Sequence, residues 1–198
     1  MVDHKDSWKN RSVFEEQLSL NKKELRSYPN HWNSFVKCIK HLNRKINLLD
    51  IGCGIGVYKK ICQDNFGESV SYTGIDYSED AIQIAKSEWG DEFICMDVFD
   101  LKPEFLQMYD TLHLGALLDV LQNAEDAMNF ILSFDVKNII IGRVLFSFGN
   151  SEAETYRAYD KITTYRFKHN KKAFHDIIEM NKYKVILNDS ETFLLEKT

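Results

Sequence analysis

Three closely spaced glycines follow a short apolar run in this sequence. Residues 48–56 read LLDIGCGIG, with glycine at Gly52, Gly54 and Gly56. Because glycine has no Cβ, a ligand can come close to the backbone there. A helix beginning after the loop would also present unpaired N–H groups to negative charge. The segment predicts a strand, loop and helix that bind a nucleotide-bearing ligand.

The spacing of these glycines separates several nucleotide-binding motifs. The dinucleotide fingerprint needs glycine at position 57, where this chain has Val57. The phosphate-loop motif needs Gly-Lys-Ser or Gly-Lys-Thr, which is absent after Gly56. A nicotinamide-dependent oxidoreductase and a catalytically idle binding module with the same fold stay as alternatives at this point.

Two further acidic residues stand where the next predicted strands end. Asp76 ends the run 72–76, roughly 20 residues after the first glycine, where a ribose-binding acid is expected. Asp97 ends the following run, where it could accept a hydrogen bond from an adenine amino group while Val98 covers the ring. The carboxyl ends of parallel strands share one edge of a sheet, so we expect Asp50, Asp76 and Asp97 to line one crevice.

Alternating apolar runs and amphipathic stretches predict the elements that hold these residues. Strands are expected at 46–51, 70–76, 92–97, 110–114 and 137–145, with helices between several of them, which favours a parallel sheet covered on both faces. A helix at 171–180 and strands at 183–187 and 192–195 follow, and so short a link permits only an antiparallel pair. Two amphipathic helices precede the sheet, the second capped by Asn30.

Four segments, in order, resemble motifs of the class I S-adenosylmethionine-dependent methyltransferases. Residues 50–56 are similar to the glycine-rich first motif and residues 72–78 to the ribose-binding motif. Residues 95–98 resemble the adenine-contacting motif, and residues 110–121 the fourth-strand region beside the methyl donor. The resemblance implies an α/β Rossmann-like fold, whose mostly parallel seven-stranded sheet has the order 3-2-1-4-5-7-6 and an antiparallel C-terminal hairpin.

The resemblance implies S-adenosylmethionine as cofactor and a role for each matching residue. Asp50 and the loop from Gly52 to Gly56 should hold the methionine part, Asp76 the ribose hydroxyls, and Tyr77 and Asp97 the adenine. The expected cofactor residues are Asp50, Gly52, Cys53, Gly54, Gly56, Asp76, Tyr77, Asp97, Val98, Leu114 and Gly115. We predict one domain over 1–198, with a helical cap at 1–44, a cofactor-binding core at 45–145, and an acceptor-side segment with the final hairpin at 146–198.

The acceptor is expected to be a small molecule, such as a sugar or another surface-polysaccharide precursor. The Asn/Asp-Pro-Pro-Tyr/Phe motif of base-amino methyltransferases is absent after residue 114, which disfavours nucleic-acid bases. Residues 146–174 form a long, aromatic-rich connection, expected to act as a lid or to pack as a helix and edge strand. Methyl transfer mainly needs alignment, so no catalytic group is compulsory. The candidates for a base are His113, Asp119, Tyr165 and His169.

Net charge, the length of apolar runs and cysteine spacing disfavour several classes of partner and site. The net charge of −5 argues against a nucleic-acid partner. No apolar stretch reaches the ~20 residues that a membrane-spanning helix needs, and the polar start lacks a signal-peptide core. The four cysteines show no zinc-binding spacing. We therefore expect a cytoplasmic protein without a bound metal or a membrane partner.

Overall fold

A seven-stranded sheet forms the centre of the computed structural model, which describes residues 8–198. Its strands, in chain order, are β1 (Ile46–Ile51), β2 (Val70–Asp76), β3 (Phe93–Cys95), β4 (Thr111–Leu114), β5 (Asn138–Ile141), β9 (Tyr183–Asp189) and β10 (Thr192–Lys197). The order across the sheet is β3-β2-β1-β4-β5-β10-β9. Strands β1 to β5 pair in parallel, and β10 pairs antiparallel with both β5 and β9. The predicted fold class and strand order are confirmed.

Helices cover both faces of this sheet. They are α1 (Arg11–Glu24), α2 (Asn30–Leu42), α3 (Val57–Phe66), α4 (Glu79–Trp89), α5 (Pro103–Leu106), α6 (Ala124–Leu132) and α7 (Lys171–Met180). Neighbouring strand residues point to opposite faces, so Leu48 belongs to the apolar cluster of Phe35 in α2, while Leu49 belongs to a second cluster with Ile131 of α6 and Phe174 of α7. Both sides of the strands are thus buried, as in other parallel sheets with helices on both faces.

The segment between β5 and α7 differs from its expected form. It folds into a second sheet of three strands, β6 (Phe146–Ser147), β7 (Glu152–Ala158) and β8 (Ile162–Asn170), in the order β6-β8-β7. Strands β7 and β8 form an antiparallel hairpin. The expected edge strand is present as β7, but the rest of residues 146–170 pairs in further strands and a helix begins only at Lys171. That the segment acts as a lid stays a prediction.

Several predicted boundaries move by a few residues. Strand β3 is shorter than predicted because Asp97 accepts a hydrogen bond from the backbone N–H of Phe99 and starts a 3₁₀ turn. Strand β5 ends at Ile141, since Arg143 adopts a left-handed backbone conformation with φ of 57°. Helix α2 begins at Asn30 itself, with Pro29 in the capping position. Ser78 caps α4 as predicted, accepting from the N–H of Ala81.

Candidate active site

One cavity of about 460 Å³ lies at the carboxyl edge of the parallel strands. Asp50 at the end of β1, Asp76 at the end of β2 and Asp97 after β3 all contribute to its wall. Because these strands are neighbours in the sheet, their ends are brought to the same place. The predicted cofactor residues that line this cavity are Asp50, Gly52, Cys53, Gly54, Asp76, Tyr77, Asp97, Val98 and Gly115. Gly56 and Leu114 do not line it.

The glycines of the loop have different surroundings. A Cβ on Gly54 would meet only the Gln17 side chain, at 3.9 Å, so the backbone there faces open space. A Cβ on Gly56 would instead lie 2.4 Å from the Phe93 ring, so this glycine allows close packing of the loop against β3. Both have positive φ values, 52° and 77° respectively. Gly54 is therefore the position where a ligand can come close to the loop, and Gly56 is a packing position.

Asp76 ties the glycine loop to the start of α4. Its carboxylate accepts backbone hydrogen bonds from Gly54 and Ser78, both at 2.9 Å. Burial raises the pKa of Asp76 to about 6, although these two hydrogen bonds oppose the shift. Each carboxylate oxygen has a second lone pair, so the group can still accept hydrogen bonds from a ligand.

Asp50 is 1% exposed and is held by two side chains. One carboxylate oxygen accepts from the Tyr72 hydroxyl at 2.6 Å, and the other lies 2.7 Å from Nδ1 of His113. The His113 ring packs between Phe35 and Tyr58, at centroid distances of 4.5 and 4.3 Å. This candidate base is thus buried behind the cavity wall and does not line the cavity.

Asp119 is the catalytic candidate that the fold brings to the cavity. It stands on a 3₁₀ turn, Leu118–Val120, after β4, and accepts a hydrogen bond from Nε of Arg143 at 2.9 Å. Tyr165 and His169 on β8 do not line the cavity. His169 is buried beside Phe167 and Phe174, and this burial lowers its pKa to about 4.

Several cavity residues were not expected from the sequence. Helix α1 contributes Phe14, Gln17, Asn21 and Glu24, and Arg143 follows β5. The β7–β8 hairpin contributes Tyr156, Arg157, Ala158 and Tyr159. The amphipathic pattern predicted α1 as a helix. No local pattern shows that this helix, which is distant in sequence from most of the strands, lies against the cavity at the ends of β1 to β4.

Two negative findings concern metals and membranes. Among residues 8–198, the structure shows no cluster of three or more histidine, cysteine or acidic side chains that could hold a metal ion. Within the same range, no helix combines the length and the apolar character required to cross a bilayer.

We compared the chain with family models and with curated proteins. Residues 42–190 match a family model described as a methyltransferase domain. A search of curated proteins gives no match.

Solved structures with a similar fold share little sequence with this chain. The 1,6-didemethyltoxoflavin-N1-methyltransferase of Burkholderia thailandensis, with its substrate and S-adenosylhomocysteine bound, has a TM-score of 0.63 at 13% identity, over 100% of this chain and 91% of that one. CalS10, an amino pentose methyltransferase from Micromonospora echinaspora, has a TM-score of 0.63 at 11% identity, over 91% and 97%. DesVI of Streptomyces venezuelae has a TM-score of 0.60 at 13% identity, over 100% of both chains.

At this level of identity, the structural neighbours show only that the fold is shared. The match to the family model shows which family the chain belongs to. This family model covers more than half of the chain, including the glycine loop and the ends of β1 to β5. A nicotinamide-dependent oxidoreductase and an idle binding module are set aside by this match. The chain belongs to the methyltransferase domain family, which confirms the class I S-adenosylmethionine-dependent methyltransferase assignment predicted from its motifs.

Proposed function

We propose that this methyltransferase transfers the methyl group of S-adenosylmethionine to a small-molecule acceptor, and that the acceptor is a sugar or another precursor of a surface polysaccharide. The observation that carries the proposal is that three strand-end carboxylates, those of Asp50, Asp76 and Asp97, line one cavity together with the open face of Gly54.

The residues around this end of the cavity fit S-adenosylmethionine. Asp76 retains lone pairs for the two ribose hydroxyls. Asp97 would accept from the adenine amino group, between the apolar side chains of Met96 and Val98. Gly54 leaves room for the methionine part. The Asp50 carboxylate is already hydrogen-bonded to Tyr72 and His113, so Asp50 would serve as a fixed part of the cavity wall.

The bound cofactor supplies a methyl group on a positively charged sulfur, which a nucleophilic atom can displace. The protein then has to align the acceptor and keep water away, and such alignment can lower a barrier by up to ~7–11 kcal/mol. Helix α1 and the β7–β8 hairpin serve this purpose, since both contribute side chains to the cavity wall. Asp119, between β4 and α6, is the group placed to bind the acceptor.

The size and lining of the cavity favour a small acceptor. Its volume of about 460 Å³ is within the range of ligand pockets, roughly 300–1,000 Å³. The Tyr156 and Tyr159 rings and the polar groups of Asn21 and Glu24 line it. Aromatic faces combined with polar groups suit a polyhydroxylated ring. Two structural neighbours are named for small-molecule methylation, one of didemethyltoxoflavin and the other of an amino pentose, and they support a small-molecule acceptor.

A matched pair of variants tests the cofactor site. Asp97 and Asp100 belong to the same short turn, but Asp97 lines the cavity and Asp100 is exposed away from it. Loss of a charge-assisted hydrogen bond costs about 1.5–3 kcal/mol. Isothermal titration with S-adenosylhomocysteine should therefore show roughly tenfold or greater weakening in Asp97→Asn and no change in Asp100→Asn. Equal affinities in the two variants, or no binding by the unmodified protein, would refute the proposal.

The acceptor class is tested by product identification. The protein is incubated with a whole-cell lysate and labelled S-adenosylmethionine, and the methylated products are identified by mass spectrometry. We expect a labelled carbohydrate. Label confined to macromolecules would exclude a small-molecule acceptor, and label confined to small molecules other than carbohydrates would exclude a sugar.

A further inference from the structure

Asp119 and Arg143 form a paired group at the end of the cavity opposite the predicted adenine site. Strands β4 and β5 are parallel neighbours, so the segments that follow them emerge side by side. Asp97 follows β3, which lies four strands from β5, or about 19 Å at the usual spacing. The Asp119–Arg143 pair is thus separated from the predicted adenine end and close to the acceptor side of the sheet edge.

The Asp119 carboxylate is only partly satisfied. Asp119 is 6% exposed, and one of its oxygens accepts from Nε of Arg143. The other oxygen, Oδ1, has no hydrogen-bond partner among the described residues. Buried carboxylate oxygens are nearly always hydrogen-bonded in folded proteins. Asp119 lies in the cavity wall, so a ligand bound there is placed to supply a donor to this carboxylate.

Arg143 holds an unusual backbone. It lines the cavity and has a φ of 57°. The left-handed region is unfavourable for side chains other than glycine, asparagine and aspartate. Strained conformations of this kind cluster at functional sites. Here the conformation accompanies the guanidinium that holds Asp119.

We infer that the Asp119 carboxylate accepts a hydrogen bond from an amino group of the acceptor and orients its nitrogen for methyl transfer. This inference rests on the proposed function. As the bond between nitrogen and the methyl carbon forms, the bond from that carbon to sulfur breaks and its electron pair stays on sulfur. The nitrogen becomes positively charged, stays paired with the charged carboxylate, and releases its proton to water when the product leaves. The products are the methylated amine, the neutral thioether and a proton in solution.

An amine fits this site better than a hydroxyl does. A neutral amine carries the lone pair that attacks, and the positive charge that develops on its nitrogen is stabilised by the Asp119 carboxylate. A hydroxyl would need a base to take its proton, but the only imidazole lining the cavity within residues 8–198 is His31, whose pKa burial lowers to about 4.

The test compares Asp119→Asn with Asp126→Asn, an exposed acid of α6 outside the cavity. Each full-length protein is incubated with a metabolite extract and S-adenosylmethionine labelled with carbon-13 in the methyl group. The products are assigned by NMR, because methyl groups on nitrogen, oxygen, sulfur and carbon resonate at different positions. We expect N-methylated product from the unmodified protein, a roughly 10–150-fold slower rate in Asp119→Asn, which loses a hydrogen bond to a charged group, and no change in Asp126→Asn.

Two further measurements distinguish failure of this inference from failure of the proposed function. Titration with S-adenosylhomocysteine should give the same affinity for all three proteins, which shows that Asp119→Asn is folded; failure of the unmodified protein to bind would refute the proposed function instead. D-glucosamine and D-glucose are then compared by saturation-transfer NMR on the protein loaded with S-adenosylhomocysteine. Preference for glucosamine, lost in Asp119→Asn, is expected. Absence of any N-methylated product, or Asp119→Asn behaving as the unmodified protein in rate or amine preference, would overturn the inference.

Discussion

Asp76 combines a structural and a ligand-binding position in one carboxylate. It holds the backbone of the glycine loop and of α4, and burial raises its pKa from 3.8 to about 6. A raised carboxyl pKa means that the folded protein binds the proton more tightly than the unfolded chain does. The charged form therefore destabilises the fold as the pH rises from about 4 to 6, and this cost remains at higher pH.

This shift predicts how cofactor affinity depends on pH. Ribose hydroxyls donate to the charged carboxylate, so binding should be strongest above pH 6 and should weaken by up to tenfold per pH unit below it. Titrations with S-adenosylhomocysteine between pH 5 and 8 measure this effect. Asp76→Asn should bind more weakly throughout and lose most of the pH dependence. An unchanged slope in that variant would show that another group is responsible.

The sequence predicts the cofactor-binding residues of this site better than the residues around Asp119. Asp50, Asp76 and Asp97 could be predicted to converge because each ends a strand, and parallel strands end at a common edge. Arg143 carries no such signal. Its direction depends on a left-handed backbone at a residue that is not glycine, and that conformation is imposed by the surrounding fold. The partner of Asp119 was therefore not visible in the sequence.

At the scale of elements, helix α7 ends in an unfavourable conformation. Asn181 is its C-cap, and the next residue, Lys182, has a φ of 59° and donates its N–H to the carbonyl of Glu179. Glycine is the usual residue at this position because it has no Cβ.

Replacing this lysine with glycine should stabilise the protein. Relief of the left-handed conformation is worth about 1–2 kcal/mol, and the greater freedom of glycine in the unfolded chain offsets about 0.4–1 kcal/mol of it. Lys182→Gly should thus raise the free energy of unfolding by about 0.5–1 kcal/mol in urea denaturation. Lys182→Ala keeps the Cβ and should give no such gain. Equal stabilities for the two variants would show that the conformation is not strained.

Strand β7, whose position the sequence did not predict, has few buried residues. It lies at the edge of its sheet, and only Ala158 at its end is fully buried, so apolar and polar residues do not alternate along it. Strands β1, β4 and β5 of the central sheet are almost entirely buried and appear as continuous apolar runs. Burial explains why the positions of these central strands were predicted and that of β7 was not.

At the scale of the whole molecule, α1 connects two parts of the structure across the cavity. Phe14 packs with Ile55, Ala81 and Ile84 on the cofactor side, while Val13 packs with Ala158 and Ile162 of the hairpin. Ion pairs follow the same division: Lys22 with Glu88 of α4 at 2.7 Å, and Glu16 with Lys161 at 2.8 Å. Loosening of α1 would therefore open the cavity at both ends.

This arrangement predicts where ligand binding slows local opening. S-adenosylhomocysteine in the cavity would contact residues of α1, so binding should suppress the openings in which α1 separates from the sheet. Hydrogen–deuterium exchange should show greater slowing in α1 than in α7, which contributes no residue to the cavity wall. Phe14→Ala should speed exchange in α1 without ligand and weaken ligand binding, because it removes the main apolar contact on the cofactor side. Equal slowing in α1 and α7 would mean that binding stabilises the protein only globally, and that α1 does not control access to the site.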